Sequence, residues 1–299
     1  MKHFDIIIVG AGPAGLTAAI YACRAGLKVA MLEKNMPGGQ MNLAEKIDNF
    51  PGFFEISGIE LTGKMLEQAE KLGAAVFYGA AESLELAGEI KTVVLESETL
   101  RAPAVILAMG AGAKKLGLKG EAGLLGSGVS YCATCDGMFF KGKDVLIAGS
   151  GKTAAADAEY LAPIVNKLYI ADKGSLAHIA CERAEKIEGA EVIRLSGSPL
   201  SSVTLAFKDG KTRDIPVSGL FVAVGYAPNS FLASGQVMLD EKGYIKTSEK
   251  CKTNHDGVYA AGDIRSGAFR QIVTACADGA IAGSEAAKYV RGKGAGNRG

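Results

Sequence analysis

Cys132 and Cys135 stand three residues apart in Cys132-Ala133-Thr134-Cys135-Asp136. Two thiols at this spacing on one helical turn can close a small ring, so they can cycle between dithiol and disulfide with little backbone movement. Asp136 adjoins the second thiol, where a carboxyl can protonate a leaving thiolate as general acid. Zinc is the rival reading, because His178-Ile179-Ala180-Cys181 supplies an H-x-x-C that would complete a Cys3His set. The separation is long, and His178 follows an acidic strand end where a cofactor belongs. Redox chemistry is therefore preferred to a purely structural pair or a zinc site, and no metal is expected. Cys23, Cys181, Cys251 and Cys276 read as buried small hydrophobes or inert thiols. A secreted disulfide scaffold would be shorter and denser in cysteine.

The elements that must position this pair are written twice. Residues 5–33 read DIIIVGAGPAGLTAAIYACRAGLKVAMLE, and residues 144–172 read DVLIAGSGKTAAADAEYLAPIVNKLYIAD. Each opens on Asp and a short apolar strand, turns on Gly-x-Gly, continues into an Ala-rich helix and returns as a second apolar strand. Each ends in an acid, Glu33 or Asp172, at the same distance from its first Gly. This is the order of a βαβ dinucleotide-binding unit. Gly10 and Gly149 make the tight turn, and Gly12 and Gly151 let a pyrophosphate reach the backbone. Gly15 and Ala154 let the helix pack close to the sheet. The pyrophosphate would meet the free N–H groups and positive dipole at the helix start, at Pro13 and Ala14 in the first copy and Lys152 and Thr153 in the second.

The chain of 299 residues suggests two domains; 48% hydrophobic residues suffice for two cores. A net charge of +1 gives no field for nucleic acid or an anionic membrane. The apolar runs are too short to span a bilayer, and Met1-Lys2-His3-Phe4 leads directly into a strand, so a cytoplasmic protein is expected. Residues 58–73 carry helical spacing, and residues 81–109 alternate as short strands. Residues 176–187 read as helix, 190–224 as mostly strand, and 257–263 as a strand and Gly turn. A last helix is expected to end near Val290, before a disordered tail.

CATCDG placed between two dinucleotide units closely resembles the bacterial low-molecular-weight thioredoxin reductases. The likeness covers nearly the whole chain: GAGPAG at 10–15, GGQM at 38–41, IDNFPG at 47–52, CATCDG at 132–137, GSGKTA at 149–154, GYAPN at 225–229, AAGDI at 260–264 and RQIVTACADG at 270–279. The resemblance implies an α/β fold of two Rossmann-like, three-layer ββα domains, the second inserted in the first. Residues 1–112 and 244–299 would form the FAD domain and 113–243 the inserted domain carrying the redox pair. It implies FAD on the first unit, with Gly39, Gln40, Asn49, Gly262, Asp263, Arg270, Gln271 and Ile272 among its contacts. It implies that Cys135 takes electrons from the flavin, Cys132 attacks the thioredoxin disulfide, Asp136 is the general acid, and the inserted domain swivels in a homodimer. The larger glutathione-reductase-like enzymes match less well, since Cys23 stands alone and no His follows His255.

One stretch departs from that family. NADPH-using members follow the second unit with an arginine motif for the 2′-phosphate; here the run is Ala171-Asp172-Lys173-Gly174-Ser175-Leu176-Ala177-His178, without arginine. Each lost charge-assisted bond is worth about 1.5–3 kcal/mol, and Asp172 would repel a phosphate by roughly 1–4 kcal/mol. Together these predict an affinity loss of about a hundredfold or more for NADPH. NADH fits Asp172, which can accept from a free ribose 2′-OH. The other donor reading is ferredoxin, reduced flavin or another flavoprotein, with the second nucleotide site vestigial. Thioredoxin or a thioredoxin-like protein is the expected acceptor. Two alternatives use the same parts: a flavin-dependent dithiol oxidase of a small molecule, and a non-catalytic FAD-binding redox sensor.

Overall fold

The computed structural model describes residues 1–44 and 46–296. Among these the α-helices are α1 (Pro13–Arg24), α2 (Gly58–Lys71), α3 (Ala133–Asp136), α4 (Lys152–Leu161) and α5 (Ile272–Gly296). The chain divides into two compact units, Met1–Gly112 with Ala227–Gly299, and Ala113–Tyr226. It leaves and re-enters the first unit on a two-stranded ladder of Ala111–Ala113 and Tyr226–Pro228.

The first unit is built on a parallel sheet in the order Val258–Ala260, Ala104–Leu107, Ile6–Val9, Val29–Glu33, Ala75–Tyr78. Ile6, Ile7 and Ile8 are fully buried, as expected of a central parallel strand covered on both faces; each such side chain contributes about 1.5–3 kcal/mol. Their pleat separates two cores. Ile6 and Ile8 face Leu16 of α1, Leu61 and Met65 of α2, and Ala282 of α5. Ile7 and Val9 face Leu84, Val93 and Leu100, which belong to a second sheet of Lys2–His3, Thr99–Ala102, Lys91–Leu95 and Ala81–Glu85. Helix, parallel sheet and second sheet give three layers. Ser57 caps α2 by accepting the N–H of Glu60 at 3.2 Å, the start signal that Ser followed three residues later by Glu provides.

The second unit repeats this plan. Its parallel sheet runs Val129–Ser130, Gly219–Val222, Val145–Ala148, Leu168–Asp172, Ala184–Glu188. Leu146, Ala148, Leu220 and Val222 point to an antiparallel sheet of Ala190–Ser196, Ser202–Phe207 and Thr212–Pro216. Val145, Ile147 and Phe221 point to Ala154, Ala158 and Leu161 of α4 and to Ala133 of α3. Period-two alternation thus assigns the two faces.

Three expectations need correction. Residues 176–187 are not helical: Leu176, Ile179 and Cys181 bury into the α4 core from a turn, and Ala184–Glu188 joins the parallel sheet beside Leu168–Asp172. The burial spacing imitated a helix in a stretch that sheet pairing claims. Residues 227–243 fall with the first unit, not the inserted one, because Ala233 and Val237 join the core of Ile7 and Val258. The last helix runs to Gly296 rather than Val290; Arg291 donates to the Ala25 carbonyl, and Lys293 pairs with Glu89 at 2.7 Å. Of the tail expected to be disordered, 297–299 lie outside the described residues.

α5 lies against α1 through two glycines: a Cβ on Gly279 would sit 2.2 Å from the Ala14 carbonyl oxygen, and one on Gly283 2.7 Å from that of Ala18. We expect Gly279→Ala to destabilise the protein by about 1–3 kcal/mol through overpacking, read as a lowered midpoint in thermal unfolding. Gly292→Ala, where nothing lies within 4 Å, is the control and should not lose stability.

Candidate redox and dinucleotide sites

Cys132 and Cys135 form a disulfide, their Cα atoms 5.4 Å apart. Cys132 is the N-cap of α3, and its Sγ accepts the N–H of Cys135 at 3.2 Å. An N–H aimed at that sulfur would also stabilise its thiolate when the bridge is open. Ala133 is buried beneath, while both cysteines are half-buried. Asp136 ends α3, and its Oδ2 accepts the hydroxyl of Ser130 at 2.6 Å. The same hydroxyl oxygen accepts the N–H of Cys132 at 3.0 Å and lies 3.2 Å from the Cys132 carbonyl oxygen. Ser130 is almost wholly buried at the end of a sheet strand. Acid and first cysteine are therefore tied to one buried serine oxygen.

A second carboxyl holds the approach to this segment. Glu121 is buried and accepts the N–H groups of Leu116, Gly117 and Leu118 at 2.9, 2.8 and 3.2 Å and the Tyr131 hydroxyl at 2.6 Å. Burial pushes its pKa up, but the Tyr131 hydroxyl and the three amides outweigh that and hold it below the usual range. Burial, then the bond to Glu121, raise the Tyr131 phenol above its ordinary value. Sequence reading missed Ser130, Glu121 and Tyr131. Their only signal is proximity to the Cys pair.

In the first unit, Gly10 takes φ +104°, and a Cβ there would meet the Ala108 carbonyl oxygen at 2.4 Å. Gly15 sits against the Gly10 carbonyl oxygen, where a Cβ would come to 1.8 Å. Gly12 caps α1 with no side-chain bond, and Pro13 begins the helix. Around Gly12 a Cβ would find nothing nearer than the Gly38 carbonyl oxygen at 4.0 Å, and one on Gly39 nothing nearer than the Gly12 Cα at 3.7 Å. The result is a side-chain-free cradle at the positive end of α1, beside Ala14, which fits the pyrophosphate of FAD. Glu33 accepts the Ala11 and Asn35 N–H groups, each at 3.0 Å. Gln40 is exposed on the short 3-10 turn Gly39–Leu43.

The remaining first-unit candidates come from distant stretches. Asn49 donates to the Gln271 side-chain oxygen at 3.1 Å. Arg270 donates to the Tyr244 hydroxyl and lies 4.9 Å from the centre of its ring. Ile272 begins α5 half-buried. Gly262 takes φ +79° and donates to Asp278 Oδ2 at 3.1 Å. Burial raises the Asp263 pKa, with Arg270 opposing and Asp278 adding to the rise. Asp278 pairs with Arg265, and Arg265 donates to Thr247 at 2.8 Å. Asp278 and Arg265 brace this turn and were not anticipated.

In the second unit, Gly149 takes φ +135°, with a Cβ position 2.3 Å from the Ala223 carbonyl oxygen. Gly151 caps α4 without a side-chain bond, and Lys152 and Thr153 open it. Asp172 Oδ1 accepts the Gly174 N–H at 2.7 Å, and Lys173 pairs with Glu191 at 2.7 Å. His178 Nε2 faces the Ser150 carbonyl oxygen at 2.5 Å, and Cys181 is buried beside the Ala158 carbonyl oxygen at 3.9 Å. His178 and Cys181, which the zinc reading added to the Cys pair, are thus turned to backbone carbonyls.

The family profile of the pyridine nucleotide-disulphide oxidoreductases matches residues 4–279. The chain belongs to that family. It is 43% identical to the thioredoxin reductase of Listeria innocua, over 97% of this chain and 94% of the relative. The solved thioredoxin reductase of Lactococcus lactis superposes with TM-score 0.81 at 36% identity, covering 97% of this chain and 99% of that one. A ferredoxin-flavin thioredoxin reductase from Clostridium acetobutylicum superposes with TM-score 0.57 at 33% identity, covering 98% and 99%. The chain is thus an FAD-dependent disulfide oxidoreductase of the low-molecular-weight thioredoxin reductase type, with two Rossmann-like units. No helix among the described residues is long and apolar enough to cross a membrane.

Asp157, on α4, has its pKa pushed up to about 6 by burial. A carboxyl raised in the folded state keeps its proton where the unfolded chain has lost it. The fold should therefore lose stability as pH rises from about 4 to about 6. Asp157→Asn should flatten that fall and gain about 1–2 kcal/mol at neutral pH, as urea midpoints across the window would report.

Proposed function

We propose that this enzyme reduces the disulfide of thioredoxin or a thioredoxin-like protein through the Cys132/Cys135 dithiol. The half-buried disulfide with a hydrogen-bonded carboxyl at its side carries this reading. Met138 and Phe139, exposed by 58% and 74%, follow it directly and offer an apolar landing surface to a protein substrate. The Listeria innocua and Lactococcus lactis relatives bear the name of this activity.

The residues proposed to hold FAD are Gly10, Gly12, Pro13, Ala14, Gly15, Glu33, Gly39, Gln40, Asn49, Gly262, Asp263, Arg270, Gln271 and Ile272. When bound, FAD supplies the two-electron carrier that reduces the enzyme's disulfide. In the dithiol state the Cys132 thiolate attacks the substrate disulfide. A bond forms between Cys132 Sγ and one substrate sulfur, and the substrate S–S bond breaks. The Cys135 thiolate then displaces that sulfur from Cys132, which closes the enzyme disulfide and frees a substrate dithiol. Asp136 exchanges the proton between its carboxyl and the enzyme thiolate.

Gly149, Gly151, Lys152, Thr153 and Asp172 are the proposed nucleotide contacts of the second unit. NADH is the donor their chemistry favours. Asp172 keeps one carboxylate oxygen beyond its bond to Gly174, and the run Ala171–His178 holds no arginine. A ferredoxin or reduced-flavin donor is the second reading, and the ferredoxin-flavin relative favours it. A homodimer completes the proposal, with exposed Tyr21 of α1 and Ile281 of α5 available to a second copy.

Anaerobic mixing of the yellow protein with NADH, NADPH and reduced ferredoxin should bleach the flavin with NADH or ferredoxin. Rapid bleaching by NADPH alone would overturn the donor assignment. Cys135→Ser should retain FAD and lose thioredoxin turnover; a variant that still turned over would rule out the dithiol route.

A further inference from the structure

We propose that Ser130 is the positioning residue that lets Asp136 gain and lose its proton beside Cys132 without leaving a buried polar group unpartnered. This deepens the function proposed above and rests on its assignment of Asp136 as the acid.

The geometry supports two hydrogen-bond states. A serine hydroxyl has one proton to give and two lone pairs to receive. Three partners surround Ser130 Oγ: Asp136 Oδ2 at 2.6 Å, the Cys132 N–H at 3.0 Å and the Cys132 carbonyl oxygen at 3.2 Å. With Asp136 ionised, Ser130 donates to Oδ2 and accepts from the Cys132 N–H. With Asp136 protonated on Oδ2, the carboxyl donates to Ser130, and the hydroxyl proton turns to the Cys132 carbonyl. The Cys132 N–H stays bound in both states. Ser130 is nearly fully buried, so no water is needed to complete either set.

When the Cys132–Cys135 bond opens, two electrons enter, the S–S bond breaks and two thiolates form. The Asp136 proton passes to one thiolate and leaves a carboxylate, which Ser130 then receives by turning its hydroxyl. Closure of the disulfide reverses the transfer. The carboxylate state is the more strongly bound, because a hydrogen bond to a charged group is about twice as strong as a neutral one. Ser130 therefore keeps a partner for either form of the carboxyl and fixes its position. A backbone amide at the same place could donate or accept but not exchange the two roles.

The test uses FAD-loaded protein reduced anaerobically with dithionite. The rate of disulfide opening is followed across pH by acid quench and thiol alkylation, and FAD content checks each variant's fold. Asp136→Asn should abolish the alkaline limb of the profile, where the acid is spent. Ser130→Ala should slow the maximum several-fold and displace that limb, because the hydroxyl that binds the carboxyl is gone. Ser130→Thr, which keeps a hydroxyl, should restore its position. A Ser130→Ala limb at the wild-type pH, alongside a lost limb in Asp136→Asn, would overturn the role of Ser130 alone. An unchanged limb in Asp136→Asn would overturn the acid assignment itself, and Ser130's role with it. A Ser130→Thr profile that stayed displaced in FAD-loaded protein would also refute the hydroxyl exchange.

Discussion

Two backbone carbonyls, those of Ala108 and Ala223, press against Gly10 and Gly149 so closely that a methyl group would sit 2.4 and 2.3 Å from their oxygens. This contact lets the chain turn, in each unit, from a buried central strand straight into a helix aimed back over the sheet. Both turns hold φ above +100°, a region that only glycine enters at little cost. The free amides of α1 and α4 then open beside the turn rather than into a neighbouring side chain. A larger residue at either glycine would displace the adjoining strand, which in the first unit is the parallel neighbour of the centre.

The redox pair obeys a different constraint. Its strand, Val129–Ser130, is an edge strand of the second parallel sheet, beside Gly219–Val222. The sheet fixes Ser130, Ser130 fixes Asp136 and the Cys132 backbone, and α3 spans one turn between the two sulfurs. Glu121 ties the preceding loop to Tyr131 in the same segment. Chemistry that needs a small movement, the opening and closing of one S–S bond, is thus placed on a short helix with a rigid start. The reactive turn can change while its anchor does not.

Much of this was legible because it is local. The glycine turns, the buried strands, the helical spacing of α2 and the Cys pair each announce themselves within a few residues. What escaped depends on partners far away in the chain. Residues 176–187 carry helix-like spacing, yet Ala184–Glu188 finds a strand to pair with only once Leu168–Asp172 is in place. Residues 227–243 follow the inserted unit in sequence but bury Ala233 and Val237 in the core of the first. Asp278 and Arg265 form an ion pair beneath Gly262, and neither residue type at its place advertises a role. Asn49 and Gln271 were each implied as FAD contacts by resemblance; that they hydrogen-bond to each other is a long-range meeting that neither the resemblance nor the spacing announced.

The two repeats diverge where their sequences diverge, and the structure gives the reason. In the first, the carbonyl of Ala11, between the two glycines, accepts the N–H of Gly38 at 2.8 Å. In the second, the equivalent carbonyl of Ser150 faces the ring of His178. A buried or crowded carbonyl needs a donor, and each repeat recruits one from the segment that follows its acidic strand end. The first uses backbone because the Pro37-Gly38-Gly39 turn brings an amide there; the second uses a side chain because Leu176 and Ile179 draw that segment's backbone into the α4 core. The acids differ in step. Glu33 is long enough to reach back to the Ala11 amide, whereas Asp172 turns forward to Gly174. His178, which by type suggested a metal ligand, is thus accounted for by a carbonyl that its counterpart repeat satisfies with glycine.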